Sequence, residues 1–88
     1  MFHYVYMLIS LNSKKKISYV GYSTNPSKRL KIHNLGKGAK FTKGNKWEII
    51  FKKRLLNKSD ALKFEHSLKK NIKLRNKIKK NFLNVHSN

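Results

Sequence analysis

Residues 2–11 constrain the fold of this chain more than any other segment. Phe2, Tyr4, Tyr6 and Leu8 occupy one alternation of a strand, and Val5, Met7 and Ile9 occupy the other, so the segment is aromatic or aliphatic on both faces. Such a strand must bury both faces, which places it at the centre of a sheet covered on each side by other elements. With 88 residues the chain fits one domain. A chain that short buries only a little over ~60% of its unfolded surface, so the sheet must be small and the core compact. Five Phe, four Tyr and one Trp within a 39% hydrophobic composition are enough to build it.

The remaining segments supply the rest of the sheet and its covers. Residues 17–22 read as a second strand, joined to the first by the polar turn Asn12, Ser13, Lys14, Lys15 and Lys16, so the pair is expected as a β-hairpin. Asn25 is placed to cap a helix whose first residue is Pro26, the one helical position where proline costs nothing. That helix runs to about Asn34, where Gly36 and Gly38 end it, and the basic segment carrying Lys37, Lys40 and Lys43 follows as a loop or short helix. Residues 46–53 read as a third strand. Ser59 or Asp60 then opens a helix to about residue 73, with Ala61, Phe64, Leu68 and Ile72 as its core-facing stripe. Leu74, Ile78 and Phe82 continue the stripe as a bent extension or a separate last helix. The expected fold is α+β, a three-stranded antiparallel sheet flanked by helices, in a single domain over residues 1–84 with a polar tail at 85–88.

Charge narrows the partners. Lys and Arg number 22 against 3 Asp and Glu, a formal net charge of +19. A chain with that balance seeks a polyanion, and nucleic acid is the expected one, bound with steep salt dependence through released counterions. The absence of cysteine excludes disulfides, zinc–thiolate sites and thiol catalysis. The apolar run near the start is too short to span a bilayer and lacks the flanks of a signal peptide, so a soluble, intracellular protein is expected, cytoplasmic or nuclear, with no membrane partner. Arg is scarce beside Lys, which makes each retained Arg a better candidate for bidentate phosphate contact.

Four groups stand apart from the scaffold. Tyr6 and Tyr19 lie on the two paired strands, where they either pack as strand aromatics or converge their hydroxyls at one sheet face. Arg29 and His33 are four apart on one helix side, a solvated basic face or a joint grip on one phosphate. The basic glycine segment forms the third group. Glu65 borders the apolar stripe of its helix, three residues from both Leu62 and Leu68, where it either pairs with Lys69 or holds a hard cation such as Mg2+. The other two acids have plainer roles, Asp60 as a helix-start charge and Glu48 as a strand surface residue.

In order along the chain these residues resemble the GIY-YIG nucleases. Tyr4-Val5-Tyr6 stands where that family carries its first motif and Tyr19-Val20-Gly21 where it carries its second. Ser23 through Leu30 with Arg29, then His33-Asn34, then Gly36-Lys37-Gly38-Ala39-Lys40-Phe41-Thr42, and finally Ala61 through Glu65 to Lys69 resemble the later motifs. The likeness covers about residues 4–70 and is strongest to the small single-domain branch. Tyr4 replaces the Gly of the first motif, Val replaces Ile in both tripeptides, and a downstream family Asn has Asn71, Asn76 and Asn81 as candidates.

The resemblance implies an endonuclease that hydrolyses a DNA phosphodiester with one divalent ion, Mg2+ or Mn2+, held by Glu65. It implies that Arg29 binds the scissile phosphate and that Tyr6 activates or orients the attacking water, its pKa drawn down by the basic surroundings. Tyr19 and His33 would orient the water or contact the phosphate, Gly21 would give close backbone approach, and Lys28, Lys37, Lys40 and Lys43 would track the DNA backbone. Only three acids in the chain agree with a one-metal site. Site selection is left to a separate specificity partner, and no oligomeric state is implied. The reading from another class is a binding module that keeps the fold without the chemistry, which would need only the lysines.

Overall fold

The computed structural model describes residues 1–86. Strand β1, His3–Ser10, is the central strand of a three-stranded sheet of order β2-β1-β3, with β2 at Ser18–Ser23 and β3 at Trp47–Leu55. Both pairings are antiparallel. Residues 5–10 of β1 are all buried, as a strand apolar on both faces requires.

The two faces carry separate cores. Val5 and Met7 with Val20 of β2 pack against Ala61 and Leu68 of helix α2, Lys58–Lys70, and against Leu74 and Ile78 of helix α3, Ile72–His86. Tyr6, Leu8 and Trp47 face the other way, where Leu30 of helix α1, Pro26–Asn34, and the ring of Tyr19 pack on them. A register shift between Met7 and Leu8 lets Phe51 and Ile49 of β3 oppose these residues, one on each face.

Local chemistry fixes the helix ends. Asn25 accepts from the Lys28 N–H at 3.2 Å ahead of Pro26. At the other end of α1 the Gly36 N–H reaches the His33 carbonyl and the Lys37 N–H the Ile32 carbonyl, both at 3.0 Å, the double closure that needs Gly36 at φ +76. The basic segment then makes one 3₁₀ turn, Lys40–Thr42.

Helix α2 starts earlier than expected, because Asn57 is the cap. Its side chain accepts from the Asp60 N–H at 2.8 Å and donates to the Asp60 carboxylate at 3.0 Å, a reciprocal pairing that makes Asp60 the third residue of the helix. The helix also ends earlier. Asn71 leaves the helical conformation and its side chain caps α3 by accepting from the Leu74 N–H at 3.0 Å, so the last stripe is a separate helix. Ile72, expected on the core stripe, falls just past this break and is 62% exposed, while Leu74 and Ile78 take the core positions. Helix α3 continues through Val85 and His86, where a polar tail was expected. Ser87 and Asn88 lie outside the described residues. Among the described residues no helix is long and apolar enough to cross a membrane.

Candidate active site

The site is built outward from Tyr6. The register sets Tyr6 directly opposite Gly21, and the phenol lies flat across that glycine. A Cβ on Gly21 would overlap the Tyr6 hydroxyl and come within 3.0 Å of its ring. The close approach that Gly21 allows is therefore that of Tyr6, whose hydroxyl is carried over β2, the open edge strand of the sheet.

There the hydroxyl meets His33 Nε2 at 3.0 Å. His33 Nδ1 lies 2.8 Å from Thr42 Oγ1, and the Thr42 hydroxyl donates to the Ala39 carbonyl at 2.8 Å. Since that proton is committed, Thr42 accepts from His33 Nδ1–H, which leaves Nε2 as the acceptor of the Tyr6 O–H in the neutral ring. The Thr42 carbonyl is held in turn by Trp47 Nε1–H at 2.8 Å. Gly38 completes the clamp, since a Cβ there would overlap His33 Nδ1. Asn34 ties the end of α1 to the sheet, accepting from the Trp47 N–H at 2.7 Å and donating to its carbonyl at 3.2 Å.

Two expectations change here. His33 is fully buried with both ring nitrogens engaged by Tyr6 and Thr42, so neither nitrogen is turned outward beside Arg29. Burial and the Arg29 charge push its pKa below 6.5, keeping it neutral at pH 7. The Tyr6 pKa is raised, not lowered. Burial is the largest cause, the Tyr19 and Glu65 charges add to it, and Arg29 acts against them without prevailing. The basic surroundings fail to win because most of the lysines face water while Tyr6 is only 1% exposed.

The remaining predicted residues are spread over both layers. Arg29 on α1 is half-buried and stands close enough to Tyr6 and His33 to shift both. Tyr19 lies against the His33 ring with centroids 5.1 Å apart. Glu65 comes from α2 on the opposite face, yet its charge acts on the Tyr6 hydroxyl. Its side chain is 19% exposed and 3.7 Å from Lys69 Nζ, so the expected ion pair exists as a long contact. Lys28, Lys37, Lys40 and Lys43 are all exposed along the segment from α1 through the 3₁₀ turn. Asn71 is spent on capping, and Asn76 and Asn81 are exposed on α3.

Thr42, Gly38, Asn34 and Trp47 were not singled out as site residues. Gly38 and Thr42 lie in the motif-like stretch 36–42 and Asn34 beside His33, which is the signal that pointed to them. For Gly21→Ala we expect a folded protein destabilised by about 1–3 kcal/mol, as overpacking costs, in a urea titration. Any nuclease activity should fall about 100-fold as the phenol is displaced.

Comparison with known proteins places the chain in a family. The GIY-YIG catalytic domain family matches residues 2–79. A UPF0213 protein of Oceanobacillus iheyensis is 40% identical over 68 residues, 76% of each chain. The structure-specific endonuclease subunit SLX1 homolog of Cryptosporidium parvum is 54% identical over 50 residues, 53% of this chain and 12% of that protein. A solution NMR structure of a UPF0213 protein from Bacillus halodurans is 36% identical and covers 78% of this chain and 71% of that one, with a TM-score of 0.44. With residues 2–79 of its 88 matched, the chain belongs to the GIY-YIG family of nuclease domains.

Proposed function

We propose that the protein is a metal-dependent endonuclease that hydrolyses phosphodiester bonds in DNA during repair, recombination or processing. The observation that carries this reading is the buried Tyr6 hydroxyl, 3.0 Å from His33 Nε2, with the Arg29 charge acting on it from α1 and the Tyr19 ring against His33. A binding module would have no use for a buried phenol hydrogen-bonded to an internal histidine.

Arg29 binds the scissile phosphate, where a planar, permanently charged fork meets the charge that grows on two oxygens in the transition state. Tyr6 orients the attacking water through a lone pair of its oxygen. Its own proton points at His33 Nε2, so a proton leaving the water passes to the Tyr6 oxygen as the phenolic proton moves to His33. Tyr19 walls the ring of His33, and Thr42 holds its tautomer. Lys28, Lys37, Lys40 and Lys43 follow the backbone of the DNA.

The donor set fits one Mg2+ or Mn2+. Among the described residues no three His, Asp or Glu gather, which leaves Glu65 as the protein carboxylate, with water and substrate oxygens to complete the shell. Such an ion, when bound, supplies charge neutralisation and Lewis acidity at the phosphate. Incubating the purified protein with supercoiled DNA, with and without Mg2+ or Mn2+, tests the reading. Metal-dependent nicking is expected, and its absence under conditions where the protein binds DNA would leave the binding module as the better description.

The proton path predicts the pH profile. His33 must be neutral to receive the proton, and its lowered pKa means it gains charge only as pH falls below 6.5. Cleavage should therefore be level through neutral pH and fall about tenfold per unit at acidic pH, below the His33 pKa. A rate that climbs steadily through neutral pH toward the raised pKa of Tyr6 would instead mean a free phenolate base, and would overturn the relay.

A further inference from the structure

A cleft of about 280 Å³ lies along the open edge of β2, and the mechanism above does not use it. It adjoins the site through Tyr19, which lines the cleft with one part of its ring and rests on His33 with another. Phe41 bounds the cleft on the α1 side of the sheet, and Lys69 and Arg75 bound it on the α2 and α3 side.

Three features of this cleft point to one kind of occupant. Phe41 is stacked on Tyr19 at 23° and lies against Trp47, yet it is 56% exposed, so much of an aromatic residue held by two other rings is left to water. On a polycation, such a face suits a nucleobase, and stacking of this kind tolerates any base. The charged residues that line the cleft are both cations, and the buried Nε of Arg75 has no hydrogen-bond partner among the described residues. That nitrogen is itself closed off from the cleft, so a phosphate oxygen would meet the guanidinium at its terminal nitrogens. The volume sits at the small end of ligand pockets, ~300–1,000 Å³, which admits one nucleotide and excludes a duplex.

We infer that this cleft is a subsite for a single unpaired nucleotide next to the phosphate held by Arg29. Its base stacks on Phe41 and Tyr19, and its own phosphate pairs with Lys69 and Arg75. A paired base cannot enter, because both its faces are stacked and its edge is occupied. The inference rests on the DNA reading above and narrows its substrate to DNA that is unpaired at the point of cutting.

The test uses the whole chain with a divalent chelator present, so that nothing is cut. Fluorescence anisotropy measures binding to a labelled oligothymidylate and to a labelled blunt duplex of equal length. Phe41→Ala should weaken single-strand binding about tenfold and leave duplex binding within twofold of wild type, and Phe41→Trp should restore it. Arg75→Gln should show the same selective loss, and it decides the matter alone if circular dichroism shows that Phe41→Ala does not fold. Equal losses on both DNAs, or no loss on either, would overturn the subsite while leaving the DNA reading intact, and would assign the cleft to another occupant. Wild-type protein that binds neither DNA would overturn the DNA reading and the subsite together.

Discussion

Glu65→Gln should abolish Mg2+-dependent nicking to below detection while the protein stays folded and bound to DNA. Gln keeps the length and helix propensity of Glu, so α2 and its packing through Ala61 and Leu68 should persist. What disappears is the carboxylate charge proposed to hold the divalent ion. The ion pair with Lys69 also goes, but a contact of 3.7 Å with a half-exposed lysine contributes less than about 1 kcal/mol. DNA affinity should hold or rise, since a negative charge leaves the phosphate path and Lys69 is freed. Circular dichroism, anisotropy with DNA and calorimetric Mn2+ titration separate these effects from cleavage. Normal nicking by the folded variant would show that Glu65 serves only its salt bridge.

Arg29→Lys should lower cleavage about 100-fold at unchanged net charge. The guanidinium stands beside Tyr6 and close to His33, so on the proposed mechanism it meets a phosphate while facing the Tyr6 hydroxyl. A lysine ammonium is a point charge on a flexible stem and cannot span two oxygens in one plane. Because the charge is kept, the dissociation constant for DNA and the depression of the His33 pKa should both survive. A loss confined to the rate of the chemical step, measured in single turnover, is the expected signature. An equal rate would make Arg29 one more surface cation among the lysines.

Much of this site was legible in the linear order of residues. The central position of β1 follows from apolar residues on both alternations, and the cap at Asn25 with Pro26 fixed where α1 begins. Spacing also put Arg29 and His33 on one side of α1, and placed Glu65 beside the stripe of α2. The boundary errors came from caps that compete locally. Asn57, not Ser59 or Asp60, opens α2, and Asn71 turns what reads as one stripe into two helices, leaving Ile72 in water.

By itself, the sequence determined the sheet order, the helix that carries Arg29 and the polycationic surface. Those follow from period, capping and charge, which are local or summed properties of the chain. Only the tertiary structure decided what His33 and Tyr6 are. Four helix positions from Arg29, His33 could as well have faced a phosphate, but packing against Thr42 and Gly38 buries it and fixes its proton on Nδ1. A net charge of +19 suggested an acidified Tyr6, yet the phenol lies over Gly21 away from water, and desolvation outweighs the nearby cation. Whether a group is stabilised as charged or neutral depends on what surrounds it in three dimensions, and no spacing along the chain records that.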